Sequence, residues 1–267
     1  TFTGEANGDE FGWSVSLSGD GKTLAIGAPF NEDNGTDSGH VRVYNLDGSE
    51  WQQVGGDIDG EAANDESGWS VSLSADGTTV AIGAYYNNGN GDRSGHVRVY
   101  NLVGNVWQQI GQDIDGEAAW DYSGASVSLS ADGNTVAIGA YGNDGNGDYS
   151  GHVRVYTVVG DTWQQLGQDI DGEAAFDYSG WSVSMSADGN TLAIGARWND
   201  DNGSASGHVR VYTVVGNVWQ KLGQDIDGEA ALDYSGRSVS LSADGTTVAI
   251  GAPYNDGNGD GSGHVRV

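Results

Sequence analysis

The side chains that could do chemistry gather in one recurring segment. Asp144-x-Asn146-x-Asp148 and Asp256-x-Asn258-x-Asp260 place side-chain oxygens at alternate positions with glycine between them. This is the pattern by which the first half of a calcium loop wraps a hard cation. Both segments lack the distant bidentate Glu that completes such a loop. Asn88-x-Asn90-x-Asp92 and Asp200-x-Asn202-x-Ser204 are weaker versions, and Glu32-x-Asn34-x-Thr36 is weaker still. The predicted metal ligands are Asp144, Asn146, Asp148, Asp200, Asn202, Asp256, Asn258 and Asp260, with calcium as the cation. The competing reading is that Asn, Asp and Gly make a tight, solvated turn.

Aromatic residues vary beside these carboxylates. One loop carries Trp120, Phe176 and Leu232 at equivalent places, and another carries Phe30, Tyr86, Arg93, Tyr149, Arg197, Trp198 and Tyr254. Aromatic faces next to acceptors suit contact with a glycan or a protein, which makes Trp120, Phe176, Tyr86, Tyr149, Trp198 and Tyr254 the predicted ligand-binding residues. Catalysis needs a unique, unequal constellation, and fivefold repetition singles none out. His40, His96, His152, His208 and His264, each followed two residues later by Arg, are read as satisfying loop carboxylates. The expectation is therefore that the protein is not an enzyme, a hydrolase being the remote alternative.

These residues ride on a repeat. The five histidines are each 56 residues apart and each opens Gly-His-Val-Arg-Val. Within the third period four β-type runs appear: Ser126-Val-Ser-Leu-Ser130, Thr135-Val-Ala-Ile-Gly-Ala140, His152-Val-Arg-Val-Tyr156 and Trp163-Gln-Gln-Leu166. Four short strands per period is the content of one propeller blade, and no helical stretch is visible. The predicted fold is all-β: a single five-bladed β-propeller over 1–267, with repeats at about 1–56, 57–112, 113–168, 169–224 and 225–267. The Ser-Ala-Asp-Gly links read as hairpin turns.

Residues two apart on a strand share a face. Val127, Leu129, Val136 and Ile138 thus form a bulky face, and Ser126, Ser128, Ala137 and Gly139 a small one that can receive the bulky face of a neighbouring blade. Trp51, Trp107, Trp163 and Trp219 recur at the fourth run and are read as packing anchors between blades. The last repeat stops at Val267 without that run, so its blade is expected to lack its outer strand. The segment Thr1-Phe2-Thr3-Gly4 aligns with Asp57-Ile58-Asp59-Gly60 and is expected to supply a little of it. The open edge otherwise suggests self-association by strand addition.

Composition limits the partners. The formal charge is −28, from 38 acidic and 10 basic residues. Such a charge repels nucleic-acid backbones and anionic membrane surfaces, and it favours solubility or cation binding. No apolar run reaches membrane-spanning length. There is no cysteine, which removes disulfides and thiolate chemistry together. With 46 Gly but also 12 Tyr and 9 Trp, the chain is turn-rich yet aromatic enough to fold. Its start, Thr1-Phe2-Thr3, reads as that of a processed or excised piece.

Phe11-Gly-Trp-Ser-Val-Ser-Leu-Ser18, then Asp20-Gly21, then Leu24-Ala-Ile-Gly-Ala-Pro29, resembles the FG-GAP repeat of integrin α-subunit propellers and their bacterial relatives. Gly39-His-Val-Arg-Val-Tyr44 resembles the third strand of that repeat. Later repeats depart from it, with Ser67, Ser123, Ser179 and Ser235 in place of the Phe. The resemblance implies calcium in the loop between a blade's first and second strands and ligand binding on the opposite side. Here that loop is only Ser-x-Asp-Gly-x-Thr, too short for the cage. The expected function is a secreted or cell-surface recognition and adhesion module that is not catalytic, possesses calcium sites and meets a protein or glycan. The alternatives are a structural unit of a surface appendage or filament, and a carbohydrate-binding propeller lectin.

Overall fold

The computed structural model describes residues 1–267. In the first repeat, β1 (Ser14–Leu17), β2 (Thr23–Ala28), β3 (His40–Asp47) and β4 (Glu50–Gln53) lie side by side in an antiparallel sheet. A two-residue strand, β5 (Ile58–Asp59), pairs with the opening of β3. The outer strand is therefore broken in two: β4 lies along Tyr44–Asp47, and β5 sets Asp59 opposite His40 and Ile58 opposite Val41. The second repeat repeats this with β6 (Ser70–Leu73), β7 (Thr79–Ala84), β8 (His96–Val103), β9 (Val106–Gln109) and β10 (Ile114–Asp115).

Five such sheets make the fold class all-β, a five-bladed β-propeller, and the last blade has three strands, ending at His264–Arg266. No helix is long and apolar enough to cross a membrane. The chain divides into two compact units, Thr1–Val136 with Thr157–Gln164, and Ala137–Tyr156 with Gln165–Val267. The division runs through the third repeat. Residues 1–4 form no strand; Phe2 packs on the rings of Tyr44 and Trp51, at 4.8 and 5.7 Å between centroids.

Within the first unit the blades meet as strand parity predicts. Leu73, Val80 and Ile82 of the second blade, with Val71 beside them, pack on Ala25, Val41 and Val43 of the first. The small serines on the other face carry hydrogen bonds across the seam. Ser14 Oγ donates to the Gly68 carbonyl at 2.7 Å, and Ser16 Oγ accepts from the Leu73 amide at 2.9 Å. Ser182 and Ser184 repeat the pair within the second unit, to Gly236 and Leu241. The tryptophans act as clips: Trp107 Nε1 donates to the Val54 carbonyl at 2.9 Å, and Trp219 Nε1 to Leu166 at 2.8 Å. Arg98 reaches back to the Asp59 carbonyl at 2.7 Å, and Arg210 to Asp171 at 2.7 Å.

The tightest approach is backbone on backbone. A Cβ at Gly83 would collide with the Gly124 carbonyl and with Ser70 Oγ, so only glycine lets the seam close. Gly83→Ala is expected to cost about 3 kcal/mol through overpacking that backbone cannot relieve. Gly104→Ala, at φ +65° in the open β8–β9 turn, is expected to cost about 1 kcal/mol. Urea unfolding of the two variants checks the difference.

Candidate functional site

Three loop positions in each repeat hold the left-handed backbone conformation. The first runs Gly8, Asn64, Trp120, Phe176, Leu232; the second Glu10, Glu66, Tyr122, Tyr178, Tyr234; the third Asp37, Arg93, Tyr149, Ala205, Gly261. For the non-glycine members φ lies between 50° and 70°, a region side-chain-bearing residues rarely adopt. The cause is a backbone zipper between the loop after the second strand and the loop before the next blade. The amides of Trp120 and Tyr122 donate to the carbonyls of Asp92 and Arg93 at 2.8 and 3.1 Å. Phe176 and Tyr178 bond Asp148 and Tyr149 in the same way. Strain of this kind persists where surrounding structure enforces it, and it concentrates at ligand contacts.

These strained positions are also where the repeats differ, and they present aromatic rings. In the first unit, rings run from Phe30 through Trp13, Trp69, Tyr85 and Tyr86 to Tyr122 and Trp120, with centroid separations of 4.1–6.3 Å. The Arg93 guanidinium lies 4.6 Å from the Tyr86 ring centroid and 4.8 Å from that of Trp120. In the second unit Tyr149 stacks on Phe176 at 6.2 Å, and Trp198 contacts Tyr178 and Tyr234. Trp120, Phe176, Trp198 and Tyr254 are 40–56% exposed. The structure thus brings Tyr86 and Trp120 together around Arg93 and pairs Tyr149 with Phe176. Tyr254 meets Tyr234 at 5.3 Å.

A residue that sequence reasoning passed over sits among them. Glu66 lines a cleft of about 280 Å³ with Asn64, Tyr86, Asn88, Asp92 and Arg93. Burial pushes its carboxyl up to about 7, against the opposing hydrogen bond from Tyr85. Its Oε2 is buried without a hydrogen-bond partner. The signal was available: repeats three to five place Tyr at this position, and only the second combines Glu66 with Arg93.

Five of the eight predicted metal ligands use their side chains to hold their loops. Asp144 Oδ1 accepts from the Tyr149 amide at 2.7 Å, Asp200 Oδ1 from Ala205 at 2.7 Å, and Asp256 Oδ1 from Gly261 at 2.8 Å. Asn146 Nδ2 donates to the carbonyls of Gly172 and Glu173, and Asn202 Nδ2 to those of Gly228 and Glu229. Asn258 Nδ2 has no such clip, but its amide donates to Ser262 Oγ at 3.2 Å. Asp148 and Asp260 sit at the exposed ends of their loops. A buried carboxylate near each pair of loops is structural as well: Asp65 Oδ2 accepts from the Ala62 amide and Asn87 Nδ2, both at 3.0 Å.

The loop where the resemblance implies calcium does not fit that ion. Asp20 Oδ1 accepts from Ser18 Oγ at 2.9 Å and the Lys22 amide at 3.0 Å, bonds that hold it below its ordinary carboxylate range. One carboxylate in a closed hairpin turn is no cage. Groups that could hold a metal ion gather instead around the strand-opening histidines: Glu5, Asp33, His40 and Asp57; Glu61, His96 and Asp113; Glu173, Asp201 and His208. Burial, then the neighbouring Arg, pushes His96 and His208 down to about 4, so both are neutral at pH 7.

The family model for the FG-GAP repeat matches residues 3–44, 58–100, 170–212 and 214–267, well over half of the sequence. The chain belongs to the FG-GAP repeat family. No curated protein sequence matches this FG-GAP chain. In fold it is similar to hydrazine synthase of Kuenenia stuttgartiensis (TM-score 0.59, 16% identity), covering 96% of this chain but 60% of that one. It therefore spans less than two thirds of that protein. It is also similar to a candidate 6-phosphogluconolactonase from Bacteroides uniformis (0.60, 15% identity, 96% and 70%). A third similar structure is the periplasmic gluconolactonase of Pseudomonas aeruginosa (0.50, 16% identity, 96% and 81%).

Those last two names correct the expectation that this FG-GAP propeller is not an enzyme. Propellers of similar fold are described as lactonases, so the fold does not exclude catalysis. The physical reason is also on the chain: near-identical repeats still contain an unequal cleft at Glu66 and Arg93. Because burial raises the folded-state pKa of Glu66 above its unfolded value, its contribution is full below about pH 4.5 and is lost as pH rises through about 7. Glu66→Gln is expected to be more stable than the parent at pH 8 and equal to it near pH 4. Paired thermal melts at the two pH values measure this.

Proposed function

We propose that this FG-GAP propeller is an extracellular recognition module whose aromatic loop residues, in each unit, bind neutral carbohydrate. The observation that carries the reading is, in each unit by itself, a set of strained, repeat-specific loop positions whose rings touch: Trp120 and Tyr122 in the first, and Phe176, Tyr149 and Tyr178 in the second. A sugar offers C–H faces to aromatic rings and hydroxyls to flanking acceptors, and Asn64, Asn88 and Asp92 stand beside Tyr86 for that purpose. A surface of formal charge −28 favours a ligand without anionic groups.

The lectin reading is thereby preferred over a filament subunit, since a building block has no use for ring positions that differ from repeat to repeat. Adhesion through a protein ligand would use the same loops. Calcium at Asp144 or Asp256 would have to share oxygens that already accept backbone amides, and the recognition proposed here does not require it.

Glycan-array screening followed by calorimetry tests the proposal. Binding of at least one neutral glycan is expected, with a tenfold or greater loss in Trp120→Ala or Phe176→Ala and little change in Trp51→Phe, on the outer strand. Absence of any glycan binding, or binding indifferent to both loop variants, refutes it.

A further inference from the structure

The His40 imidazole is wholly buried, yet neither ring nitrogen has a hydrogen-bond partner. Its Nδ1 faces carboxylates on two sides, 3.9 Å from Asp33 Oδ2 and 4.0 Å from Asp57 Oδ2. These separations are too long for hydrogen bonds. Ligand atoms that each lie about 2.0–2.2 Å from a shared ion stand roughly 3–4 Å from one another, so the gap has the size of a metal ion. The ligand atoms of Glu5, Asp33, His40 and Asp57 all fall within 4.8 Å of each other.

The sequence around this cluster departs from the repeat in a telling way. The position of Asp33 is Gly in three other repeats, as Gly89, Gly145 and Gly257, and Asp again only at Asp201. The fourth repeat, which has Asp201, also has Lys221 where the first three have Gln53, Gln109 and Gln165. Lys221 Nζ lies 2.8 Å from Asp225 and 3.8 Å from Glu173, so a cation already occupies that corner. In the first repeat the counter-charge is Arg42 alone, 2.6 Å from Glu5 and 3.5 Å from Asp57. Three carboxylates against one guanidinium leave two negative charges, the number that one divalent ion neutralises.

We propose that Glu5, Asp33, His40 and Asp57 form a binding site for one divalent first-row transition-metal ion of the zinc or manganese class, with His40 Nδ1 as the nitrogen ligand. An imidazole nitrogen favours such an ion over calcium or magnesium, which take oxygen ligands. The ion would join the N-terminal segment, the loop after β2, the opening of β3 and the start of the segment leading to β5. None of its four ligands is an aromatic residue of the glycan-binding loops, and it is neither needed for nor excluded by glycan binding.

The test is calorimetric titration of the chelator-stripped protein with Zn²⁺, Mn²⁺ and Ca²⁺ separately, with Co²⁺ absorption as a second readout. One equivalent of Zn²⁺ or Mn²⁺ is expected, bound at least tenfold more tightly than Ca²⁺, with Co²⁺ giving visible ligand-field bands. Asp33→Gly is expected to weaken binding at least tenfold. This variant keeps the fold testable even where His40→Gln fails to fold, because three repeats carry Gly at that position. Asp201→Gly is expected to leave the first equivalent unchanged. No transition-metal binding, equal preference for Ca²⁺, or indifference to Asp33→Gly overturns the site, and loss of the equivalent in Asp201→Gly overturns its assignment to the first repeat.

Discussion

The approach of one blade's second strand to the glycine carbonyl of the next blade is the constraint on which the rest depends. At Gly27, Gly83 and Gly195 there is no room for even one carbon, because Gly68, Gly124 and Gly236 bring their carbonyls against the strand. That contact sets the spacing within each unit at which Ser14, Ser70 and Ser182 can bond across the seam. It also sets the depth at which Val80 and Ile82 meet Ala25 and Val43. Each such hydrogen bond contributes roughly 1 kcal/mol net, and the packing it permits contributes more.

Closing the seam has a consequence for the loops. Once Gly39 and Ser67, or Gly207 and Ser235, are bridged, the residues beyond them are drawn alongside each other and their amides find carbonyl partners only in left-handed geometry. Some of the side chains on those residues are buried, as at Glu66, Tyr122 and Ala205, and others, such as Trp120 and Phe176, stay exposed. The rings among them contact one another, Trp120 with Tyr122 and Tyr149 with Phe176 and Tyr178, and beside them Trp69 meets Tyr85 and Arg197 lies 3.3 Å from the ring centroid of Trp181. A rigid scaffold with variable strained positions is a common arrangement for recognition surfaces.

Charge follows the same division between scaffold and exception. Most acidic side chains of the repeat are engaged: Asp65 bonds Asn87, Asp76 closes its hairpin through Ser74 and Thr78, and Gln53 reaches Asp57. The chemistry that is left lies where one repeat breaks ranks. Glu66 is driven toward its neutral form by burial, and His40 is enclosed by carboxylates without a bond to any of them.

Repetition made the architecture legible from residues alone. The 56-residue period, the β-type runs and their two-residue parity are short-range properties of the chain, and they led to blades, faces, serines on the seam and tryptophan clips. The broken outer strand was not legible, because Ile58-Asp59 is too short to carry a pattern and pairs only where β3 offers an unmatched edge. The acidic loop motifs were visible, but whether their oxygens point to an ion or to their own backbone depends on the loop's path: Asp144 and Asp256 turn inward to amides five residues on. The aromatic positions could be named as variable, while their strain and stacking come from the zipper between two loops some 30 residues apart in sequence. Burial decided the remainder. Glu66 and His40 are ordinary letters in a repeat until the fold removes water from one and surrounds the other with carboxylates, since the pKa and ligand capacity of a side chain are set by what lies around it in space.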